Sequence, residues 1–208
     1  MATRKTAYAV HPAIEYANTI IRNIPEKTGR SVDEWAALIR AHDSDDPRAL
    51  RAWLKSAHGI GMTTGSILVD LALGEAAENV DPQAYLAAAP TYIDAMYAGP
   101  KSALRPIHDA LLALGRSFGA DVRVCPCRTI VPLYRNHVFA EIKPTTRTRV
   151  DFGLALKGAS PKPIRRLIDT GGLAKGNRIT HRFAIESVDQ IDDTVRRWAG
   201  IAYELDGA

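Results

Sequence analysis

Between Phe118 and Val122 the hydrophobic period of this chain changes, and that change dictates its architecture. Upstream, Leu104, Ile107, Leu111, Leu114 and Phe118 recur at steps of three and four, the stripe of a helix that Gly119 terminates. Downstream the apolar residues alternate, so 122–134, 138–143 and 146–157 read as three strands of a meander, joined by Arg135-Asn136-His137 and Pro144-Thr145. In the third strand Val150, Phe152, Leu154 and Leu156 share one face. Arg147, Arg149, Asp151 and Lys157 take the other, with successive side chains of one face about 7 Å apart. A short helix over 163–168 and a glycine-rich loop follow. A fourth strand over 179–186 then leads to a last helix, opened by the capping box Ser187-Val188-Asp189-Gln190, with Ile191, Val195, Trp198 and Ala202 inward. The order αβββαβα predicts an α+β domain with helices on one face of a mostly antiparallel four-stranded sheet.

The first half reads as helix throughout. Ile14, Ala17, Ile21 and Ile24 form one stripe that Pro25 is expected to stop, before Gly29 turns the chain. Ser31 and Glu34 are spaced as a capping box and open a second helix with Trp35, Leu38 and Ile39 inward. Asp46-Pro47 opens a third, burying Leu50, Trp53, Leu54 and Ala57 and ending at Gly59. The segment Gly59-Ile60-Gly61, followed by a helix, resembles the helix-hairpin-helix element of DNA-binding proteins. There the glycines permit a tight turn and the next helix offers unpaired amides to a phosphate. Here Met62, Thr63 and Thr64 follow, without a Lys or Arg. A polar stretch over 74–82 is the expected boundary between an all-helical domain (1–80) and a basic α+β domain (81–208). The latter begins with one helix carrying Tyr85 and Leu86 up to Pro90 and another carrying Tyr92, Ile93, Met96 and Tyr97.

Charge divides along the same line. Residues 1–81 hold nine Lys/Arg against eleven Asp/Glu, whereas residues 82–208 hold eighteen against twelve. Residues 123–182 alone carry thirteen cations and three acids, so an anionic partner is expected on that half only. No apolar run approaches the ~20 residues of a membrane helix, and the N-terminus lacks a signal-peptide core, so a cytoplasmic protein with no membrane partner is expected. Cys125 and Cys127, separated by Pro126, are poorly placed to bridge one another, which suits a reducing compartment.

Two family resemblances can be read from particular residues. Thr28-Gly29-Arg30-Ser31 with Glu34-Trp35, and Trp53-Leu54-Lys55 to His58-Gly59, resemble the bacterial domain-of-unknown-function family numbered 4287. Cys125-Pro126-Cys127-Arg128-Thr129, Phe139-Ala140-Glu141-Ile142, Arg147 to Leu154, Thr180-His181-Arg182 and Ala202-Tyr203 resemble the family numbered 5655. Together they imply a two-domain protein and supply no activity. The order of sheet, gap, strand and terminal helix is also similar to MmcQ/YjbR-like domains, some described as DNA-binding.

The leading functional expectation is a non-enzymatic binding protein without cofactor. Its basic sheet, through Arg128, Arg135, Lys143, Arg147 and Arg149, would contact nucleic acid. Lys175 and Arg178 in the glycine-rich loop, and the Gly59 and Gly61 amides, are further candidate phosphate contacts. One alternative is a Mg²⁺-dependent nuclease using Asp121, Glu141 and Lys143, the acid-x-Lys spacing in which carboxylates hold the metal and the lysine supports the attacking water. The other is a small anionic ligand held by arginines in a pocket. Cys125, Cys127, His137 and His181 could in principle ligate a metal, but Cys-x-Cys is not the usual structural-zinc spacing and no metal is expected. A thiol lowered in pKa by Arg128 is a further reading of the cysteines.

Overall fold

The computed structural model describes residues 8–159 and 164–207. The chain divides into two compact units, one of Val10–Ala88 and one of the described residues before Val10 and after Ala88. Among the described residues no helix is long and apolar enough to cross a membrane.

The first unit is helical: α1 (Pro12–Thr28), α2 (Val32–Arg40), α3 (Pro47–His58), α4 (Met62–Leu73) and the single turn α5 (Ala77–Val80). The caps follow the sequence. Ser31 Oγ accepts from Glu34 N while Glu34 Oε2 accepts from Ser31 N at 2.7 Å, and Asp46 accepts from the amides of Arg48 and Ala49. Pro25 does not stop α1. The helix continues one turn to Thr28 and closes at Gly29, whose φ of 72° lets its amide reach Pro25 O at 2.9 Å. A proline inside a helix costs about 3 kcal/mol; the turn beyond it is held by Thr28 Oγ1, which donates to Ile24 O and accepts from the Trp35 indole N–H, both at 2.8 Å. Ala57, expected on the buried face of α3, is exposed.

The border between the units falls within α6 (Pro82–Met96), a single helix that carries Pro90 in its interior where two helices were expected. A 3-10 turn (Gly99–Leu104) leads into α7 (Arg105–Arg116). Among the described residues the sheet has six strands rather than four: β1 (Arg123–Val124), β2 (Val131–Tyr134), β3 (Val138–Lys143), β4 (Val150–Leu154), β5 (Ile168–Asp169) and β6 (His181–Ile185). They lie in the order β1-β2-β3-β4-β6-β5, every pair antiparallel.

Both extra strands have a local cause. The segment read as one strand over 122–134 folds back on itself at Cys125-Pro126-Cys127, so that Arg123 faces Tyr134 and Val124 faces Leu133. Pro126 has no amide to give a ladder, and the loop is closed by Cys127 N on Ile130 O at 2.8 Å. The helix expected over 163–168 is absent from its described part. Arg165 and Arg166 form a turn and Ile168–Asp169 pair with Arg182 and His181, while Pro163 lies outside the described residues. The third expected strand contracts to β4. The last helix, α8 (Asp193–Gly207), is capped by Asp192 Oδ1 on the amides of Thr194 and Val195 at 3.1 Å rather than by Ser187.

Register sorts the sheet into two faces. Val131, Ile142, Phe152 and Phe183 align across four strands, with Val150 and Ile185 beside them, and all are buried with α7 and α8. Fully burying a Phe or Ile contributes about 1.5–3 kcal/mol, so this row fixes the register. The opposite face carries Pro132, Glu141, Lys143, Asp151, Gly153 and Arg182.

Candidate anion-binding cleft

Four cations from separate parts of the second unit meet at one concavity. Lys101 comes from the 3-10 turn after α6 and Arg128 from the loop that splits β1 from β2. Lys143 ends β3, and Arg147 sits in the exposed connection to β4. Together with Thr129, Thr145 and an apolar wall that includes Met96 and Pro100, they line a cleft of about 490 Å³. No carboxylate lines it among the described residues.

The placement of each cation has a local reason. Pro144 ends the ladder of β3, and its carbonyl accepts from Lys101 Nζ at 2.6 Å, which ties the 3-10 turn to the β3–β4 connection. Arg128 reaches over Tyr92, its guanidinium carbon 6.0 Å from the ring centroid. Thr145 Oγ1 donates to Asp151 Oδ2 at 2.8 Å and so holds the rim of the cleft against β4. Like charges sharing a concavity repel, and ammonium and guanidinium groups gathered around one space match the oxygens of a phosphate or carboxylate.

The cleft gathers Arg128, Lys143 and Arg147 from the candidates named in the sequence and adds Lys101, which sequence reasoning missed. Lys101 lies in a Gly-Pro-Lys turn with no motif around it. The remaining candidates are dispersed. Arg135 is held on the far side of β2, donating to Asp121 Oδ2 at 2.9 Å and Tyr203 O at 3.1 Å, with its guanidinium 4.1 Å from the Tyr203 ring centroid. Arg149 Nε lies 2.9 Å from Asp151 Oδ1, although its N–H does not point at the carboxylate, and Arg182 Nη1 donates to the same oxygen at 2.8 Å. Arg178 pairs with Asp206 and donates to Val138 O at 2.7 Å, and Lys175 stands on an exposed loop. Gly59 and Gly61 belong to the other unit. Gly59 is left-handed at the end of α3, and Gly61 caps α4 through an extended backbone without a side-chain hydrogen bond.

The alternative chemistries fall on identifiable groups. Asp121 is engaged by Tyr203 Oη, donating at 2.7 Å, and by Arg135, and these bonds hold its carboxyl below the ordinary range. Glu141 is half-buried between Pro132 and Gly153, and burial pushes its carboxyl up against the opposing pull of Lys143. Among the described residues no three His, Cys, Asp or Glu side chains gather as a metal site. His137 Nδ1 is 3.3 Å from Asp206, and His181 Nδ1 is 2.9 Å from Thr180 Oγ1. The side chains of Cys125 and Cys127 are thiols outside any disulfide among the described residues, not activated thiolates. Burial pushes Cys125 up to about 12, outweighing Arg123, and pushes Cys127 up as well.

A family model described as Domain of unknown function (DUF5655) matches residues 93–206, and one described as Domain of unknown function (DUF4287) matches residues 17–73. No curated protein and no solved structure matches the chain.

Proposed function

The chain belongs to the family described as Domain of unknown function (DUF5655), and because that description carries no activity, it is from the cleft that we propose a role. The second unit is a non-enzymatic binding module for a compact, multiply charged anion, with phosphate groups as the leading chemistry. The observation that carries this reading is the meeting of Lys101, Arg128, Lys143 and Arg147, with no carboxylate in the lining among the described residues, around about 490 Å³. That volume lies within the range of small-molecule sites, and the donor types suit oxyanions. A long basic track is less well supported, because Arg135, Arg149 and Arg178 are each spent on an internal acid.

Nucleic acid is the second source of the same phosphate chemistry, and one observation favours it. Arg147 projects from the exposed β3–β4 connection at the mouth of the cleft, where an extended backbone could reach it. Salt separates the two. Pyrophosphate titrated calorimetrically, and a labelled DNA or RNA 12-mer followed by anisotropy, are compared at about 50 and 200 mM salt, where four phosphate contacts on a duplex lose roughly a hundredfold in affinity. Saturable pyrophosphate binding supports the compact-anion reading. Salt-steep oligonucleotide binding with negligible pyrophosphate binding supports the nucleic-acid reading, and the absence of both at low salt overturns the proposal.

A further inference from the structure

A second cavity lies in the helical unit, and its chemistry differs from that of the cleft. It measures about 590 Å³, with a floor that includes Ile20, Ile60 and Trp35 and a rim that includes Tyr16, Lys27 and Arg30. The floor is built: Trp35 is 3% exposed, its indole N–H donates to Thr28 Oγ1 at 2.8 Å, and its ring is braced edge-on by His58 at 5.2 Å. Tyr16, by contrast, is 62% exposed, a large aromatic surface left beside that floor.

Charge is segregated here against the trend of the unit. Residues 10–88 hold eleven acids and seven Lys or Arg, a net of −4, yet among the described residues no carboxylate lines the cavity and two of the seven cations do. Arg30 lies with its guanidinium carbon 5.1 Å from the Trp35 ring centroid, which holds the cation at the rim. Glu34, the acid that feels Arg30, has its carboxylate taken by the Ser31 amide and hydroxyl, so it does not neutralise the site. A pocket with an apolar floor, an exposed ring and a few charges on one side suits a ligand with a flat apolar body and an anionic end.

We infer that the helical unit binds a small aromatic anion, its ring against Tyr16 and Ile20 and its carboxylate or phosphate between Lys27 and Arg30. This inference stands apart from the cleft, because its residues all lie in Val10–Ala88. Lys27 and Arg30 supply the cations that the local sequence after Gly61 lacks.

The test follows amide and indole resonances of the ¹⁵N-labelled full chain during titration with adenosine monophosphate and with 2-naphthoate. Adenosine and inorganic phosphate serve as the ring-only and anion-only probes. At least one of the two aromatic anions should saturate with shifts at the Trp35 indole and the amides of residues 59–64. Lys27→Ala/Arg30→Ala, both at exposed positions, should weaken that binding about tenfold with no more than a small fall in melting temperature from the lost Arg30–Trp35 contact, and Tyr16→Ala should weaken it too. Adenosine and phosphate should each bind at least about tenfold more weakly. The inference is overturned if neither aromatic anion shifts these resonances, if phosphate or adenosine alone binds as tightly, or if the double variant binds like the parent. Shifts confined to Lys101, Arg128, Lys143 and Arg147 would report the cleft and overturn this second site while leaving the first standing.

Discussion

The guanidinium of Arg178, in the loop before β6, is clamped onto the buried carboxylate of Asp206 in the last turn of α8. The same carboxylate accepts the His137 amide at 2.8 Å, and the neighbouring Asp206 carbonyl accepts from Asn136 Nδ2 at 2.8 Å. Arg178 therefore fastens the glycine-rich loop and the β2–β3 turn to the end of α8, and its charge is used inside the fold. Asp206→Asn should remove the ion pair, leave the buried amide with a poorer acceptor, and cost about 2–3 kcal/mol in chemical denaturation. A loss below about 0.5 kcal/mol would mean that the clamp is not part of the folded core.

Four cations in one cleft oppose each other when no anion is present, so the cleft should trade stability for binding. Lys143→Gln and Arg147→Gln, at exposed positions, are expected to leave the melting temperature unchanged or raise it slightly. Each should weaken pyrophosphate binding about tenfold. Calorimetric titration and thermal melts of the same samples check both halves of this expectation.

His108 is wholly buried against Tyr97, with Nδ1 3.1 Å from the Tyr97 hydroxyl and Nε2 without a hydrogen-bond partner among the described residues. Burial lowers it from 6.5 to about 4, with Asp109 pulling the other way and Arg105 and Arg116 adding to the depression. The neutral ring is favoured in the fold, so the unfolded chain takes up the proton first. The contribution is complete above pH 6.5 and falls as the pH drops toward 4, by up to about 3 kcal/mol. Stability curves measured across this window should slope downward toward acid, and His108→Phe should flatten the slope.

Gly119 leaves room for the Tyr203 hydroxyl. A Cβ there would collide with Tyr203 Oη and Asp121 Oδ1, within the Tyr203–Asp121–Arg135 network. Gly119→Ala should cost about 1–3 kcal/mol. Tyr203→Phe, which removes the hydroxyl, should recover part of the loss in the double variant, and strictly additive effects would show that the contact is not the cause.

Much of this fold was legible in the residues, and the failures have physical causes. The period change after Phe118 gave the α+β division, and Ser31 with Glu34 gave a helix start that the structure forms bond for bond. The β1–β2 hairpin was hidden because alternation does not report direction: Val124 and Leu133 alternate alike whether the chain runs straight through Pro126 or doubles back. Helix α1 outlasts Pro25 and closes only at Gly29, its last turn tied by Thr28 Oγ1, which donates to Ile24 O and accepts from the Trp35 indole N–H. At the site, charge counting found Arg128, Lys143 and Arg147 but could not tell them from Arg135 and Arg178. Arg135 and Arg178 are drawn to Asp121 and Asp206, 14 and 28 residues away in the chain, a separation that counting charges does not see. Lys101 was beyond reach for the same reason: its bond to Pro144 spans 43 residues.

The most direct test of the anion-binding account is a calorimetric titration of pyrophosphate into the full chain and into Lys101→Gln/Lys143→Gln/Arg147→Gln. The account predicts saturable binding by the parent and, with three charge-assisted contacts removed, a loss of at least about a hundredfold in the variant, whose fold is checked by its circular dichroism and melting curve. Equal affinity in the two proteins, or no heat from the parent at low salt, would contradict it.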